Sequence, residues 1–288
     1  MEEIKKISFE DKNYPNLLKK IQKPPKELYL KGNILSDELC FAIVGTRRFS
    51  SYGKQVAWDM AGDLSESGLT IVSGLAPGID TFAHSSVIER NKRTIAVLGT
   101  GLDEKSIYPQ SNLRLAKKII EKGGTLLSEY PPGTRGTRFT FPQRNRIISG
   151  LSLGVLVIEA KEKSGSLITA NCAFSQKRKV FAVPGSIYSS NSQGCHYLIK
   201  KGAKLIQTSQ DILQELNLSG KKNKEKLMGE NEEENIILKT LLEGSLHIDE
   251  IIKKAKLQTS IVNKTLTILE IKNKIRNLGG NIYAINNR

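Results

Sequence analysis

Cysteine is nearly absent from this 288-residue chain. Cys40, Cys172 and Cys195 lie too far apart to form a CxxC pair or a Cys/His ligand spacing. That excludes a disulfide framework and a zinc knuckle, and the three are expected to be reduced thiols in or near a core, as in a cytosolic protein. No apolar run approaches the ~18 residues of a membrane span, and the N-terminus MEEIKKISFEDK is charged where a secretory signal would be apolar. A cytoplasmic protein with no membrane partner is expected. Aromatic residues make up 6% and hydrophobic residues 39%, which is ordinary for a soluble α/β protein. Acidic residues are few beside basic ones: 29 Asp+Glu against 44 Lys+Arg gives a net charge of +15. An excess of that size favours an acidic polymer as partner, although a lysine-rich composition alone would supply some of it.

Signatures of catalysis are also missing. Ser73 and Ser186 lack a GxSxG elbow, and His84, His196 and His247 fall in separate elements with no obvious carboxylate partner. His84 reads as a packed or capping residue on its helix. Asp80, Asp103, Glu129 and Glu159 do stand at strand ends, where a pair of them would be able to do acid/base work. Glu159 is instead expected to pair with and orient Arg144 or Arg146. No catalytic residue, metal site or cofactor is assigned.

What the chain does have is a repeating grammar. FAIVG (41–45), TIVSG (70–74), TIAVLG (94–99), TLLSEY (125–130), GVLVIEA (154–160), VFAVPG (180–185) and AKLI (203–206) are short apolar runs ending in glycine or a polar residue. Helix-like patterns separate most of them, such as YGKQVAWDMAGDLSES and SLITANCAFSQ. This alternation predicts an α/β fold with a mostly parallel, doubly wound sheet, in which ligands sit outside the carboxyl ends of the strands. Residues 1–40 form a lead-in packed on the main domain, with a short helix in NYPNLLKKI and a strand in PPKELYLKGN. Residues 41–216 form the main domain, and the polar, lysine-rich stretch 217–234 a linker. Residues 235–288 read as three short helices and a Gly-Gly hairpin, which suggests a winged helix.

The stretch PPGTRGTRFTFPQRNRIISGLSLGVLVIEA (131–160) organises the rest. Its first half interleaves Arg135, Arg138, Arg144 and Arg146 with Phe139 and Phe141 and holds no acidic residue. Guanidinium groups fork onto phosphates and phenyl rings stack on bases, a mixture that suits single-stranded nucleic acid. A solvated basic loop beside two core phenylalanines fits the same residues. Other loops fall on the same sheet edge. In GTRRFSSYG (45–53), Gly45 permits a tight turn, Thr46 and Ser50 or Ser51 can meet a phosphate or cap the helix, and Arg47 and Arg48 supply charge. The spacing is neither a Walker A loop nor GxGxxG, so nucleotide hydrolysis is not supported. SGLAPGID (73–80), with Gly74 and Gly78, and GTGLD (99–103) follow the next two strands, and the three loops together point to a shared anion-binding surface. Lys163, Ser164, Gly165 and Ser166 precede another helix, as a phosphate cradle or a plain serine N-cap. In the last domain Thr259, Ser260, Asn263, Lys264 and Thr267 share the polar side of the third helix, which serves equally as a groove-reading face or as a solvated face for protein contact.

Taken together, YPNLLKKI, PPKELYLKGN, VGTRRFSSYG, SGLAPGID, GTGLDEKSIYP, LSEYPPG, FPQRNRIISGLSLGVLVIEA, SGSLITA, VFAVPGS and CHYLIKKGAKLI resemble the DNA-processing protein A family (DprA, also called Smf). The resemblance covers most of residues 14–206 in one order. It implies an extended Rossmann-like domain that binds and protects single-stranded DNA, forms a homodimer, and loads the RecA recombinase onto incoming strands during natural transformation, without catalysis. Carried over by motif, Arg47 would grip phosphate beside Gly45, Thr46 and Ser50, with Gly74 and Gly78 lining the pocket. Arg138, Phe141, Arg144, Asn145 and Arg146 would hold the strand from the other side. The chain departs from the family pattern in two places. The lead-in is too short for the helical N-terminal domain of many members, whose function is expected to be absent. His196 stands where asparagine is commoner.

Two other function classes compete. A nucleotide-processing enzyme of related fold typically carries a PGGxGTxxE-like loop, whereas PPGTRGTRF places arginines and no glutamate there. A sequence-specific repressor acting through the winged helix leaves the arginine-rich stretch unexplained.

Overall fold

A computed structural model describes residues 3–218, 229–242, 244–272 and 274–285. The chain divides into two compact units, residues 1–217 and 218–288. In the first unit nine strands form one sheet: β1 (Lys5–Ser8), β2 (Glu27–Lys31), β3 (Cys40–Gly45), β4 (Thr70–Ser73), β5 (Thr94–Leu98), β6 (Thr125–Ser128), β7 (Gly154–Ile158), β8 (Lys179–Ala182) and β9 (Lys204–Leu205). Their spatial order is β1-β2-β6-β5-β4-β3-β7-β8-β9. Strands β3 to β9 run parallel, and β2 joins β6 antiparallel, so the lead-in extends the main sheet. The fold is the mostly parallel α/β sheet that the alternation of strands and helices predicts.

Both faces of the central sheet are covered, and β3 to β7 are apolar on both sides for that reason. In β5, Ile95 and Val97 enter one core with Ile147 and Ile148, while Ala96 and Leu98 enter another with Ile88 and Ile119. The helices of this unit are α1 (Asn16–Lys19), α2 (Ser51–Glu66), α3 (Ile79–Glu89), α4 (Leu113–Glu121), α5 (Thr140–Leu151), α6 (Gly165–Ser175), α7 (Gln193–Lys200) and α8 (Ser209–Glu215). Side-chain caps start several of them: Ser50 accepts from Gly53 N, Ser164 from Ser166 N, and Thr208 and Asp211 form a reciprocal capping box.

Two elements escape the sequence pattern. β1 is an edge strand whose lysines guard against pairing with another chain, and its KKIS run holds no buried residue to mark it as a strand. The arginine-rich stretch, expected as a loop, becomes helix α5 from Thr140 onward. Pro142 falls in its first turn, where a missing N–H costs nothing, and the buried Arg144 and Asn145 interrupt the apolar period that would mark a helix.

The second unit contains α9 (Glu232–Leu241), α10 (Ile248–Ala255) and α11 (Thr259–Ile271), with a small antiparallel sheet of order β10-β12-β11 from Leu246–His247, Ile282–Ile285 and Ile275–Asn277. This is the winged-helix arrangement. Ile237, Leu238, Ile251, Val262, Leu266 and Leu269 make its core, and Thr259, Ser260, Asn263, Lys264 and Thr267 lie exposed on α11. Residues 219–228 of the expected linker lie outside the described residues, and α9 starts at Glu232, inside the expected linker span, because Asn231 caps it. Among the described residues no helix is long and apolar enough to cross a membrane. The described cysteines are all free thiols, Cys40 and Cys195 buried and Cys172 partly so.

His84 is packed, as expected for its place on α3. Thr94 Oγ1 donates to the Ile71 carbonyl at 2.7 Å, so it accepts from His84 Nδ1–H, also at 2.7 Å. His84 Nε2 is buried with no partner among the described residues. Burial, helped by the charge of Arg144, pulls the His84 pKa down to about 3. The folded state therefore refuses a proton that the unfolded chain takes up below about pH 6.5. The resulting stability is complete above that pH and is lost as pH falls toward 3, at up to ~1.4 kcal/mol per pH unit. His84→Asn, which keeps the N–H donor but cannot titrate, should flatten the dependence of urea-melt midpoints on pH between about 6 and 4. An unchanged slope would contradict this account of His84.

Candidate nucleic-acid interface

Strand order reverses between β3 and β7, whose chain-order neighbours lie to opposite sides. Loops leaving these two strands diverge and open a crevice at their carboxyl ends, the usual ligand position in such sheets. A cleft of about 510 Å3 lies there, lined by Gly45, Arg47, Ala76, Asp80, Arg138, Phe141, Arg144, Asn145 and the Ser164–Ser166 turn among others. Helix α5 forms one wall, since the chain crosses from β6 at the far side of the parallel sheet to β7 through it.

Arg144 anchors that wall. Only 5% exposed, it donates from Nη1 to the carbonyl of Gly74 at 2.7 Å and to that of Val97, and from Nε to Asn145 Oδ1 at 3.2 Å. The first two acceptors lie on β5 and at the end of β4. Gly74 must be glycine for this approach, because a Cβ would lie 2.7 Å from Arg144 Nη1. Burial pulls the Arg144 pKa down to about 10; Asp80 opposes that pull and Arg47 adds to it. Arg144 thus remains a cation at neutral pH. Asp80, buried in the first turn of α3, accepts from Gly74 N at 3.0 Å and Ala76 N at 3.3 Å. Burial raises its pKa against the influence of Arg144 and those two amides.

Arg47, Arg138 and Arg144 line the cleft with Asp80 as its one carboxylate, so positive charge is in excess by two. Arg47 is exposed, and Gly78, at φ 87°, brings the start of α3 against the Thr46–Arg47 backbone. Arg138 stacks over the ring of Phe139 at 4.8 Å, and Phe139 is 64% exposed, which leaves an aromatic and a cation together at the rim. Phe141 is half-buried; it packs on Tyr108 with ring centroids 5.5 Å apart and lies beneath Gly136, whose Cβ would approach its ring to 2.5 Å. Ser164 caps α6, and Gly165 at the helix start has open space around it.

Other expected residues are placed differently. Arg146, two positions along α5 from Arg144, points to Glu129 at 2.7 Å and does not line the cleft. Residues two apart on a helix face different sides. Glu159 pairs with neither arginine; its carboxylate accepts from Ser50 N and Oγ. Ser50 is committed to that carboxylate and to its capping bond, and Thr46 is buried, accepting from Arg48 N at 3.1 Å. Arg48 and Lys163 are exposed outside the cleft lining, Asn145 ties α5 to Gly165 O at 3.3 Å while also lining the cleft, and Gly74 and Gly78 support it from behind. The GTGLD loop is no anion seat. Gly101 N donates to Thr134 O at 2.9 Å, and Asp103 accepts from Gly133 N at 2.6 Å, so this loop moors the 131–138 segment. Although partial burial opposes it, the bonds from Gly133 and Ser106 hold the Asp103 carboxyl below its usual value. Sequence reasoning missed Ile148, Ile168 and Thr169 as cleft residues; their apolar or helix-interior context carries no signal until α5 and α6 are known to face each other. Among the described residues no cluster of three or more His, Cys, Asp or Glu side chains is arranged to hold a metal.

A sequence model of the family described as DNA recombination-mediator protein A matches residues 5–217, and one described as the DprA winged helix domain matches residues 222–281. DNA processing protein DprA of Bacillus subtilis is 47% identical over 215 residues, 74% of this chain and 71% of that protein. The Streptococcus pneumoniae protein of the same name is 48% identical over 212 residues, 73% of each chain. In structure, DNA processing protein A from Streptococcus pneumoniae superposes with a TM-score of 0.68 at 45% identity, covering 74% of both chains. DNA processing protein A from Helicobacter pylori, studied for its single-stranded DNA binding mode, gives 0.66 at 32% identity, covering 75% of this chain and 96% of that one.

Burial separates the two central arginines. Arg144→Ala should lower unfolding stability by about 3 kcal/mol, because it strands the Gly74 and Val97 carbonyls and Asp80. Arg47→Ala, an exposed change, should stay within about 0.5 kcal/mol of the parent. Equal urea midpoints for the two variants would contradict the anchoring role of Arg144.

Proposed function

The chain belongs to the DNA recombination-mediator protein A family, and from that membership and the cleft we propose that it binds single-stranded DNA, protects incoming strands and loads the RecA recombinase during natural transformation and recombination. The observation that carries this reading is the cleft at the strand-order reversal, with three arginines against one aspartate and the Arg138–Phe139 stack at its rim. Guanidinium groups neutralise the backbone and an exposed ring accepts any base, which favours a flexible single strand over a rigid duplex. A Helicobacter pylori member is described by its single-stranded DNA binding mode, and 75% of this chain superposes on it.

The protein acts by binding, in this reading, without catalysis. Each carboxylate that might serve an enzyme is committed to structure: Asp80 to the turn after β4, Asp103 to the arginine-bearing loop, Glu129 to Arg146 and Glu159 to Ser50. A cytoplasmic homodimer with RecA as partner completes the proposal, with residues 41–216 as the strand-binding domain. Residues 235–288 carry nine Lys and Arg against four Asp and Glu, so the winged helix is itself basic.

Arg47→Ala and Arg138→Ala should each weaken oligo-dT binding by about tenfold, with no dependence on base identity, and each should reduce the log–log salt slope by about 0.7. Fluorescence anisotropy over a salt series measures both quantities. Unchanged affinity in both variants would sink the site assignment.

A further inference from the structure

The cleft leaves one group of aromatic and cationic side chains beside it without a use. Arg47 lines the cleft, but the turn it belongs to runs on through Arg48 and Phe49, which are exposed outside the lining. Phe49 keeps 44% of its surface open to water. Its ring stands edge-to-face against that of Phe82 on α3, with centroids 4.6 Å apart and planes at 82°. Lys54 Nζ, from the first turn of α2, lies 5.4 Å from the centre of the Phe82 ring. Phe82 N donates to the Gly78 carbonyl at 3.2 Å, and Gly78 meets the backbone of Thr46 and Arg47, so the ring pair is carried on the same framework as the cleft arginine.

Core packing does not account for Phe49. A phenylalanine that serves only the core is buried, as Phe41 and Phe181 are. Charge also sets this patch apart from an ordinary exposed apolar spot. Residues 45–58 and 76–88 hold Arg47, Arg48 and Lys54 against a single carboxylate, Asp80, which is buried and tied to the Gly74 and Ala76 amides. An exposed ring among three cations, with no exposed acid in either segment, matches the bases and phosphates of a nucleic-acid strand and repels a cationic partner. A ring already braced by a second ring also loses little freedom when a ligand covers it.

We propose that Phe49, braced by Phe82 and flanked by Arg48 and Lys54, is a second stacking platform for single-stranded DNA, outside the cleft and joined to it through Arg47. This platform rests on the strand-binding reading of the cleft and extends its footprint. A strand held beside Arg47 and Arg138 passes over the Arg47 turn, where the next base meets the Phe49 ring and the next phosphates meet Arg48 and Lys54. Stacking on a phenyl ring is indifferent to base identity, so the platform lengthens the contact without adding sequence preference. A duplex, whose bases are already stacked on one another, gains only the phosphate contacts.

Oligo-dT strands of about 4 and about 12 nucleotides, both within the span of a single-strand groove, are titrated against the full chain. Phe49→Ala should weaken binding of the longer strand about tenfold, as the loss of one stacked base requires, and leave the shorter one nearly unchanged. Phe49→Trp should restore the affinity, and its added indole emission should be quenched as the longer strand binds, against the background of the parent's single Trp58. Lys54→Ala should lower the log–log salt slope for the longer strand by about 0.7. Unchanged affinity of Phe49→Ala for the longer strand would overturn the proposal. So would an equal loss for both lengths, which would make Phe49 a support of the cleft. The Phe49→Trp emission is readable even if the alanine variant fails to fold, and emission unmoved by a saturating strand would contradict stacking. A parent that binds neither strand sinks the strand-binding reading itself, whereas a parent that binds both while Phe49→Ala matches it sinks the platform alone.

Discussion

Everything at the carboxyl edge of the sheet depends on one buried guanidinium. Arg144 has left water almost completely, and a charge in that position is tolerated only if its N–H groups are satisfied and a counter-charge lies near. The carbonyls at Gly74 and Val97 provide the first condition, and Asp80 the second. Those bonds fix α5 across β4 and β5, and α5 in turn carries Phe141 and Asn145 to their places. Gly74 is bare because the guanidinium needs its space, and Asp80 shapes the turn that brings α3 toward the Arg47 loop. A fold-holding contact and a charged cleft are thus the same set of atoms.

Much of this was legible in the sequence, and what was not has identifiable causes. The parallel strands stand out because strands buried on both faces are apolar throughout, as TIAVL in β5 is. The winged helix was legible from three short amphipathic helices and a Gly-Gly hairpin. Helix α5 was hidden by its own polar residues: those that line the cleft erase the period that announces a helix. Taken as a loop, FPQRNR offers Arg144 and Arg146 as equals. On a helix they separate, one into the cleft and the other onto Glu129. Glu159 shows the converse case. A glutamate ending a buried strand beside arginines suggests an ion pair, but the partners in space are the amide and hydroxyl of Ser50, which linear distance conceals.

Positive charge is in excess in both units. The first unit, residues 1–217, holds 31 Lys and Arg against 20 Asp and Glu, and the second, residues 218–288, holds 13 against 9. A field of that sign draws any polyanion, and an exposed ring at the cleft rim favours the flexible bases of a single strand.

The most direct test compares a labelled oligo-dT strand with a duplex of equal length in anisotropy titrations of the full chain at several salt concentrations. A salt-sensitive preference for the single strand, with a log–log slope of about −0.7 for each phosphate engaged, is the expected result. Equal affinity for the two, or preference for the duplex, would contradict the assignment of the arginine cleft as a single-strand site.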